Sequence, residues 1–227
     1  MTLAQCMAKV YDVAVVGGGL AGLCVANSLA AQGQSVVVLE AHPTRMGGRL
    51  RNTESGLDLG AAWVWPHAQK NVVSLLDQLN ITTFPQPGDP GSTRVTGGTF
   101  ALVEGLVRGL EPDQLRQGWV LESATLEEES ETVLLTPAAN ATSDAVRCKR
   151  AVLAVPPRLL SSRVAFAPAL DAAKARAMRD SRTWMAGVTK VCVEYPTKFW
   201  PPQLDPHMST GLRQGPGMPA FQMYDAR

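Results

Sequence analysis

The run Val13-Ala14-Val15-Val16-Gly17-Gly18-Gly19-Leu20-Ala21-Gly22 constrains this chain more than any other feature. A stretch rich in β-branched residues closes on three consecutive glycines and reopens in small and apolar residues, so a buried strand must turn sharply into a helix. Strand Val10–Val16, helix Leu20–Gln32 and strand Ser35–Glu40 then form a βαβ unit. Gly17, Gly19 and Gly22 satisfy G-x-G-x-x-G. Gly17 permits the tight turn, Gly19 lets a pyrophosphate approach the backbone, and Gly22 lets the helix pack closely on the sheet. Gly18, Leu20 and Ala21 complete a helix start whose N–H groups and dipole favour a phosphate. Glu40 closes the second strand, where an acid hydrogen-bonds ribose hydroxyls and disfavours a 2′-phosphate. The plain alternative is a glycine-rich turn with a surface glutamate, and the motif alone leaves FAD and NAD both open.

Val13 to Ala31 carries no charged residue, and Gly18 and Gly22 make a G-x-x-x-G, so a membrane segment is the competing reading. The strand-turn-helix-turn-strand rhythm argues against a membrane span. Twenty-one Lys+Arg against 20 Asp+Glu leave a net charge of +1, which gives no reason to expect nucleic acid or anionic lipid as partner and favours a small molecule. The four cysteines are scattered, without a C-x-x-C pair, and the three histidines are dispersed. No metal site is expected, and a reduced intracellular, cytoplasmic setting fits. No hydrolase or P-loop signature occurs.

Further along, Gly56 to Gly60 reads as a turn and short strand, and Gln69 to Leu79 as an amphipathic helix. Phe84 to Gly98, rich in Pro, Gly, Ser and Thr, reads as a loop. A helix with Val103, Leu106, Val107 and Leu110 on one face comes next. Trp119 to Thr136 reads as two strands around an acidic turn, Arg150 to Pro156 as a buried strand, Asp171 to Asp180 as a helix, and Val188 to Tyr195 and Ala220 to Tyr224 as strands.

Several segments together resemble the flavin-containing, monoamine oxidase-like amine oxidases, most closely the N-terminal part of compact bacterial-type members. Arg45-Met46-Gly47-Gly48-Arg49 is similar to the family's R-x-G-G-R segment. Gly56-Leu57-Asp58-Leu59-Gly60-Ala61-Ala62-Trp63 is similar to its G-x-x-D-x-G-a-x-W run. Gly97-Gly98-Thr99 leading into Leu102-Val103-Glu104, and Ala154-Val155-Pro156-Pro157, match two structural segments, and Trp184 to Lys190 with Phe199-Trp200 matches the segment carrying an active-site lysine. The resemblance implies an α/β fold: a Rossmann-like FAD-binding domain, incomplete at the C-terminus, with a small, partial α+β substrate domain. It implies FAD as cofactor, with Gly17 to Gly22, Glu40, Arg45, Gly48 and Arg49 on the dinucleotide and Gly60, Ala61, Ala62 and Trp63 beside the ring. It implies Lys190 as the lysine that holds a water against flavin N5. Lys190 would share a strand face with Val188 and Cys192 and be partly desolvated, which lowers an ammonium's pKa. Read without the resemblance, Arg45 and Arg49 are solvated loop residues, Trp63 is a core anchor and Lys190 is a strand lysine reaching water.

The implied reaction is oxidation of a small amine to an imine, with oxygen reduced to hydrogen peroxide. A desaturase or protoporphyrinogen-oxidase-like flavoprotein and a non-catalytic nucleotide-binding remnant are the alternatives. The loop between Glu40 and Arg45 is a residue longer than the family's usual spacing, with His42 where an arginine is common. The expected organisation is a first FAD-binding segment over 1–83, a short loop over 84–96 replacing a larger substrate-domain segment, a second FAD-binding segment over 97–160 and a partial substrate domain over 161–227. The family's later elements are missing, which suggests a fragment or a chain completed by a second one supplying the C-terminal half.

Overall fold

The computed structural model describes residues 9–86, 90–139, 144–183 and 189–197. The chain parts into two compact units, residues 1–48 with 105–188 and residues 49–104 with 189–227.

The first unit is built on a seven-stranded sheet in the order β10-β7-β8-β9-β1-β2-β6. Its centre is β1 (Val10–Val16), flanked in parallel by β2 (Val36–Leu39) and β9 (Val146–Leu153), with α1 (Leu20–Ala31) crossing from β1 to β2. This is the βαβ opening expected from the glycine run, with boundaries shifted by a residue or so. Strands β1 and β2 are almost continuously buried, as a parallel sheet's central strands must be. Ala14, Val16, Val37 and Leu39 pack with Trp119, Leu121, Leu135, Val146, Cys148 and Leu160 into one core. β7 (Leu121–Glu127) and β8 (Thr132–Pro137) form the expected antiparallel pair around the acidic turn.

Several elements of this unit were not foreseen. Pro156-Pro157 ends β9 but also starts α4 (Pro157–Arg163), because a proline at the first helical position lacks only an N–H that no helix bond needs. After it, β10 (Ala165–Ala167) adds in parallel to β7, so these three residues, expected in a partial substrate domain, extend this sheet. β6 (Leu115–Arg116), too short for any periodicity, pairs with β2. α5 (Ala172–Asp180) begins where Asp171 caps it by accepting from the Lys174 N–H.

The second unit holds a small antiparallel sheet, β3 (Trp63–Val64), β5 (Thr93–Val95) and β4 (Thr83–Pro85), in the order β3-β5-β4, and α2 (Lys70–Gln78). Strands β4 and β5 correct the expectation of a plain loop over 84–96. Pro85 is tolerated because β4 is an edge strand, where a missing N–H breaks no ladder. Gly56 to Gly60 forms no strand, only a bridge between Asn52 and Asp58. The described residues 189–195 form no strand either. Their alternation survives, with Val191 and Val193 exposed and Lys190 and Cys192 half-buried, but alternation is local while a strand requires a ladder partner. Ala220 to Tyr224, Trp184 to Val188 and Phe199-Trp200 lie outside the described residues. Helix α3 (Phe100–Arg108) runs across the division between the units. Among the described residues no helix is long and apolar enough to cross a membrane.

Candidate functional site

In the first unit the site is made of backbone. Gly17 turns at φ 106°, and a β-carbon there would meet the Ala154 carbonyl oxygen at 2.7 Å. One at Gly22 would lie 2.0 Å from the Gly17 oxygen, which fixes how closely α1 approaches the end of β1. Gly18 is bare for a reason the sequence did not suggest. The buried Met46 lays its sulfur over it, 2.3 Å from where a β-carbon would sit. The loop carrying Met46 is stitched on by the Gly47 N–H donating to the Gly18 carbonyl at 2.7 Å. Gly48, at φ 57°, then brings its backbone within reach of Gly19, and the Arg45 guanidinium donates to the Gly48 carbonyl at 3.1 Å. The two glycine motifs, far apart in sequence, are one structure.

Glu40 sits between them. One carboxylate oxygen accepts from the Gly18 N–H and the other from the His42 N–H, each at 2.7 Å. The turn is braced from outside, since the Glu40 N–H donates to the Arg116 carbonyl and the Trp119 N–H to the Glu40 carbonyl, both at 2.8 Å. Sequence reasoning missed this brace, because Arg116 and Trp119 are remote in the chain and carry no motif.

Such a surround fits the ADP half of a dinucleotide. Helix α1 starts at Gly19 without a side-chain cap, leaving its first-turn N–H groups for an anion. A β-carbon at Gly19 would meet nothing nearer than Gly48 at 4.0 Å, so the backbone there is open to close approach. Each Glu40 oxygen keeps a second acceptor position for a hydroxyl. Leu20 is half-buried and Ala21 exposed at the helix start.

In the second unit the candidate residues gather around Asp58. This carboxylate is 3% exposed; one oxygen accepts from the Thr99 N–H at 2.8 Å, and the other lies 3.8 Å from an Arg94 nitrogen. The Thr99 hydroxyl lies 2.8 Å from both the Asp58 oxygen and the Ala61 carbonyl, and its single proton can serve either. Asp58 and Thr99 thereby hold the Gly60–Trp63 run in place. Gly60 itself faces the Arg49 carbonyl, 1.9 Å from the position of a β-carbon, while the Arg49 side chain is exposed. Ala61 is exposed, Ala62 buried and Trp63 half-buried. The Trp63 indole donates to Gln86 at 3.0 Å.

Lys190 joins this cluster from far along the chain. Its ammonium donates to the Gly60 carbonyl at 3.2 Å and stands 5.4 Å from the centre of the Trp63 ring. Burial pushes its pKa below lysine's usual value, and Arg94 adds in the same direction, while Asp58 and Cys192 oppose it. Asp58, Thr99, Arg94 and Gln86 were not among the expected site residues. The positions of Asp58 in G-x-x-D-x-G and of Thr99 after Gly97-Gly98 were the available signals. Among the described residues no cluster of His, Cys, Asp and Glu could hold a metal.

A Rossmann-type strand-glycine-helix unit with an acid at the end of its second strand defines a dinucleotide-binding α/β protein. A family model described as an NAD(P)-binding Rossmann-like domain matches residues 15–79, and one described as flavin containing amine oxidoreductase matches residues 86–227. The chain belongs to the flavin containing amine oxidoreductase family, whose characterised homologues are oxidoreductases that bind FAD.

Among its relatives, an L-amino acid dehydrogenase of Synechocystis sp. is 36% identical over 103 residues, covering 44% of this chain and 21% of that protein. A putrescine oxidase of Kocuria rosea is 37% identical, over 44% of this chain and 23% of that protein. The human flavin-containing amine oxidase B is 42% identical, over 34% and 15%. In fold, the chain is similar to a putrescine oxidase solved with putrescine bound, with a TM-score of 0.66 at 19% identity, over 76% of this chain and 64% of that one. The matched parts thus span less than a quarter of these relatives' sequences and under two thirds of the solved chain.

Proposed function

We propose that this chain binds FAD and serves the oxidation of a small amine to an imine, with oxygen reduced to hydrogen peroxide. The observation that carries this reading is the Lys190 ammonium, drawn partly out of water and held at the Gly60 carbonyl and the Trp63 face. Bound FAD would supply the redox chemistry, accepting a hydride from the carbon that bears a neutral amine and passing the electrons on to oxygen.

The chain's own residues bind, orient and supply charge. The backbone of Gly17 to Gly22, with the uncapped start of α1, would hold the pyrophosphate, and the spare acceptor positions of Glu40 the ribose hydroxyls. Arg45 holds the Gly48 turn closed, and the exposed Arg49 offers a permanently charged donor. The Gly60–Ala62 run, small throughout and exposed at Ala61, would let a flat ring approach its backbone, with Trp63 at its end. Lys190 would hold a water where oxygen is reduced, placing a cation near the negative charge that develops.

The test is a spectrum followed by a rate. The chain loaded with FAD, reduced anaerobically by an amine and mixed with oxygen is expected to recover its flavin absorbance, and Lys190→Met to recover about 100-fold more slowly at unchanged FAD affinity. Equal recovery rates would remove Lys190 from oxygen chemistry. Recovery with a quinone but not with oxygen would make the protein a dehydrogenase, the activity for which the Synechocystis relative is named.

A further inference from the structure

We propose that Gln86 is a positioning residue for Lys190, acting through the indole of Trp63; its importance to oxidation rests on the function proposed above, but the coupling itself does not. Gln86 follows directly on β4, whose three residues are all exposed, yet its own side chain is driven inward to 6% exposure. Burying an amide is costly unless it is hydrogen-bonded. Here the Gln86 carbonyl oxygen accepts the indole N–H of Trp63 at 3.0 Å, while its backbone N–H donates to the Ser92 carbonyl at 3.0 Å.

The sheet order explains the reach. Strand β5 lies between β4 and β3, so the Gln86–Trp63 bond ties together the two outer strands of the sheet. The indole is thereby anchored at both ends, by the β3 backbone and by Gln86. A ring fixed in this way presents one face in one place, and on that face stands the Lys190 ammonium, 5.4 Å from its centre, with the Gly60 carbonyl 3.2 Å away. Without the Gln86 acceptor the indole loses the hydrogen bond that fixes its N–H edge, and water can compete for the place beside the ammonium. The charged and titratable groups that also act on Lys190 are Asp58, Cys192 and Arg94.

The experiment is the titration of Lys190 itself, in the full chain without added flavin, read by NMR after reductive 13C-methylation, with Lys190→Met identifying the signal. Gln86→Leu is expected to move the Lys190 titration upward by roughly half a pH unit as the ammonium regains water. Trp63→Phe, which keeps a ring but loses the N–H, is expected to shift it in the same direction, and Gln86→Leu added to Trp63→Phe is expected to do nothing more. General loosening of the fold would make the two shifts add. The proposal is overturned if Gln86→Leu leaves the titration in place, or if the shifts are additive. Should Gln86→Leu not fold, Gln86→Asn, polar but too short to reach the indole, is read by the same two criteria. A Lys190→Met protein reoxidised at the normal rate would overturn the oxidase reading while leaving this coupling intact; an unmoved titration with slow reoxidation would do the reverse.

Discussion

The glycine cradle of the first unit and the Asp58–Lys190 cluster of the second are built from opposite materials. In the cradle the contacts run largely between main-chain groups, such as the Gly17 N–H to the Leu39 carbonyl at 2.8 Å and the Gly47 N–H to the Gly18 carbonyl at 2.7 Å, with the Glu40 carboxylate accepting from the Gly18 N–H at 2.7 Å. In the cluster the contacts run through side chains, with a carboxylate, a guanidinium, a hydroxyl, an amide and an ammonium drawn from residues 58 to 190. A site made of backbone is intolerant of added atoms. A site made of buried side chains is intolerant of a lost partner charge.

The largest effect should therefore come from the cluster. Asp58→Asn keeps the shape but removes the carboxylate opposite Arg94, which is itself 7% exposed, and loss of this charge beside a buried guanidinium is expected to cost about 3–5 kcal/mol in denaturant unfolding. Gly22→Ala should follow at about 2–3 kcal/mol, since its new methyl must displace the Gly17 carbonyl and with it the top of β1, and FAD binding should be lost with it. If Gly22→Ala proved the milder for stability yet left FAD binding intact, the cradle would be less rigid than its geometry implies.

The same difference decides what could be read in advance. The cradle was legible because its residues are consecutive and its glycines are demanded by local geometry; strand, helix and acid all fell within a few residues of their observed places. Met46 over Gly18 was invisible, because a methionine in a loop gives no sign of what it will cover. The cluster was legible only at its ends, Gly60 to Trp63 and Lys190, and only through family resemblance. Gln86 and Arg94 carry no pattern of their own, and Thr99 was read only as part of a structural segment; they meet Asp58 or Trp63 because β3, β5 and the turn before α3 fold together. Short strands such as β6 and β10 were missed for the same reason, since pairing partners define them more than composition does.

A smaller effect separates charge from shape at Lys190. Its folded pKa is lowered, so the unfolded chain binds the proton more tightly, and stability should rise as pH climbs from the folded value towards the usual 10.5. Below that window the protonated lysine is held at a constant cost. Lys190→Met should abolish the alkaline rise while changing stability near neutrality by no more than about 1 kcal/mol. Denaturation curves at several pH values check both parts.

The smallest expected effect isolates the role of water. Glu127 on β7 and Arg147 on β9 form a two-pronged pair at 2.7 and 2.8 Å, better in geometry than Asp58 and Arg94 at 3.8 Å, but their side chains are 27% and 31% exposed. The guanidinium pulls the Glu127 carboxyl from 4.5 down to about 2. A lowered carboxylate pKa stabilises the fold above 4.5, and that contribution is lost as pH falls from 4.5 through about 2. Solvent screening holds it to about 1 kcal/mol, so Glu127→Gln should cost no more than that at neutral pH and should flatten the acid limb of the stability curve. The pair with the shorter bonds should thus matter several-fold less than the longer, buried one. If Glu127→Gln instead matched Asp58→Asn, burial would not be what makes the second unit's cluster sensitive, and the contrast between the two sites would have to rest on geometry alone.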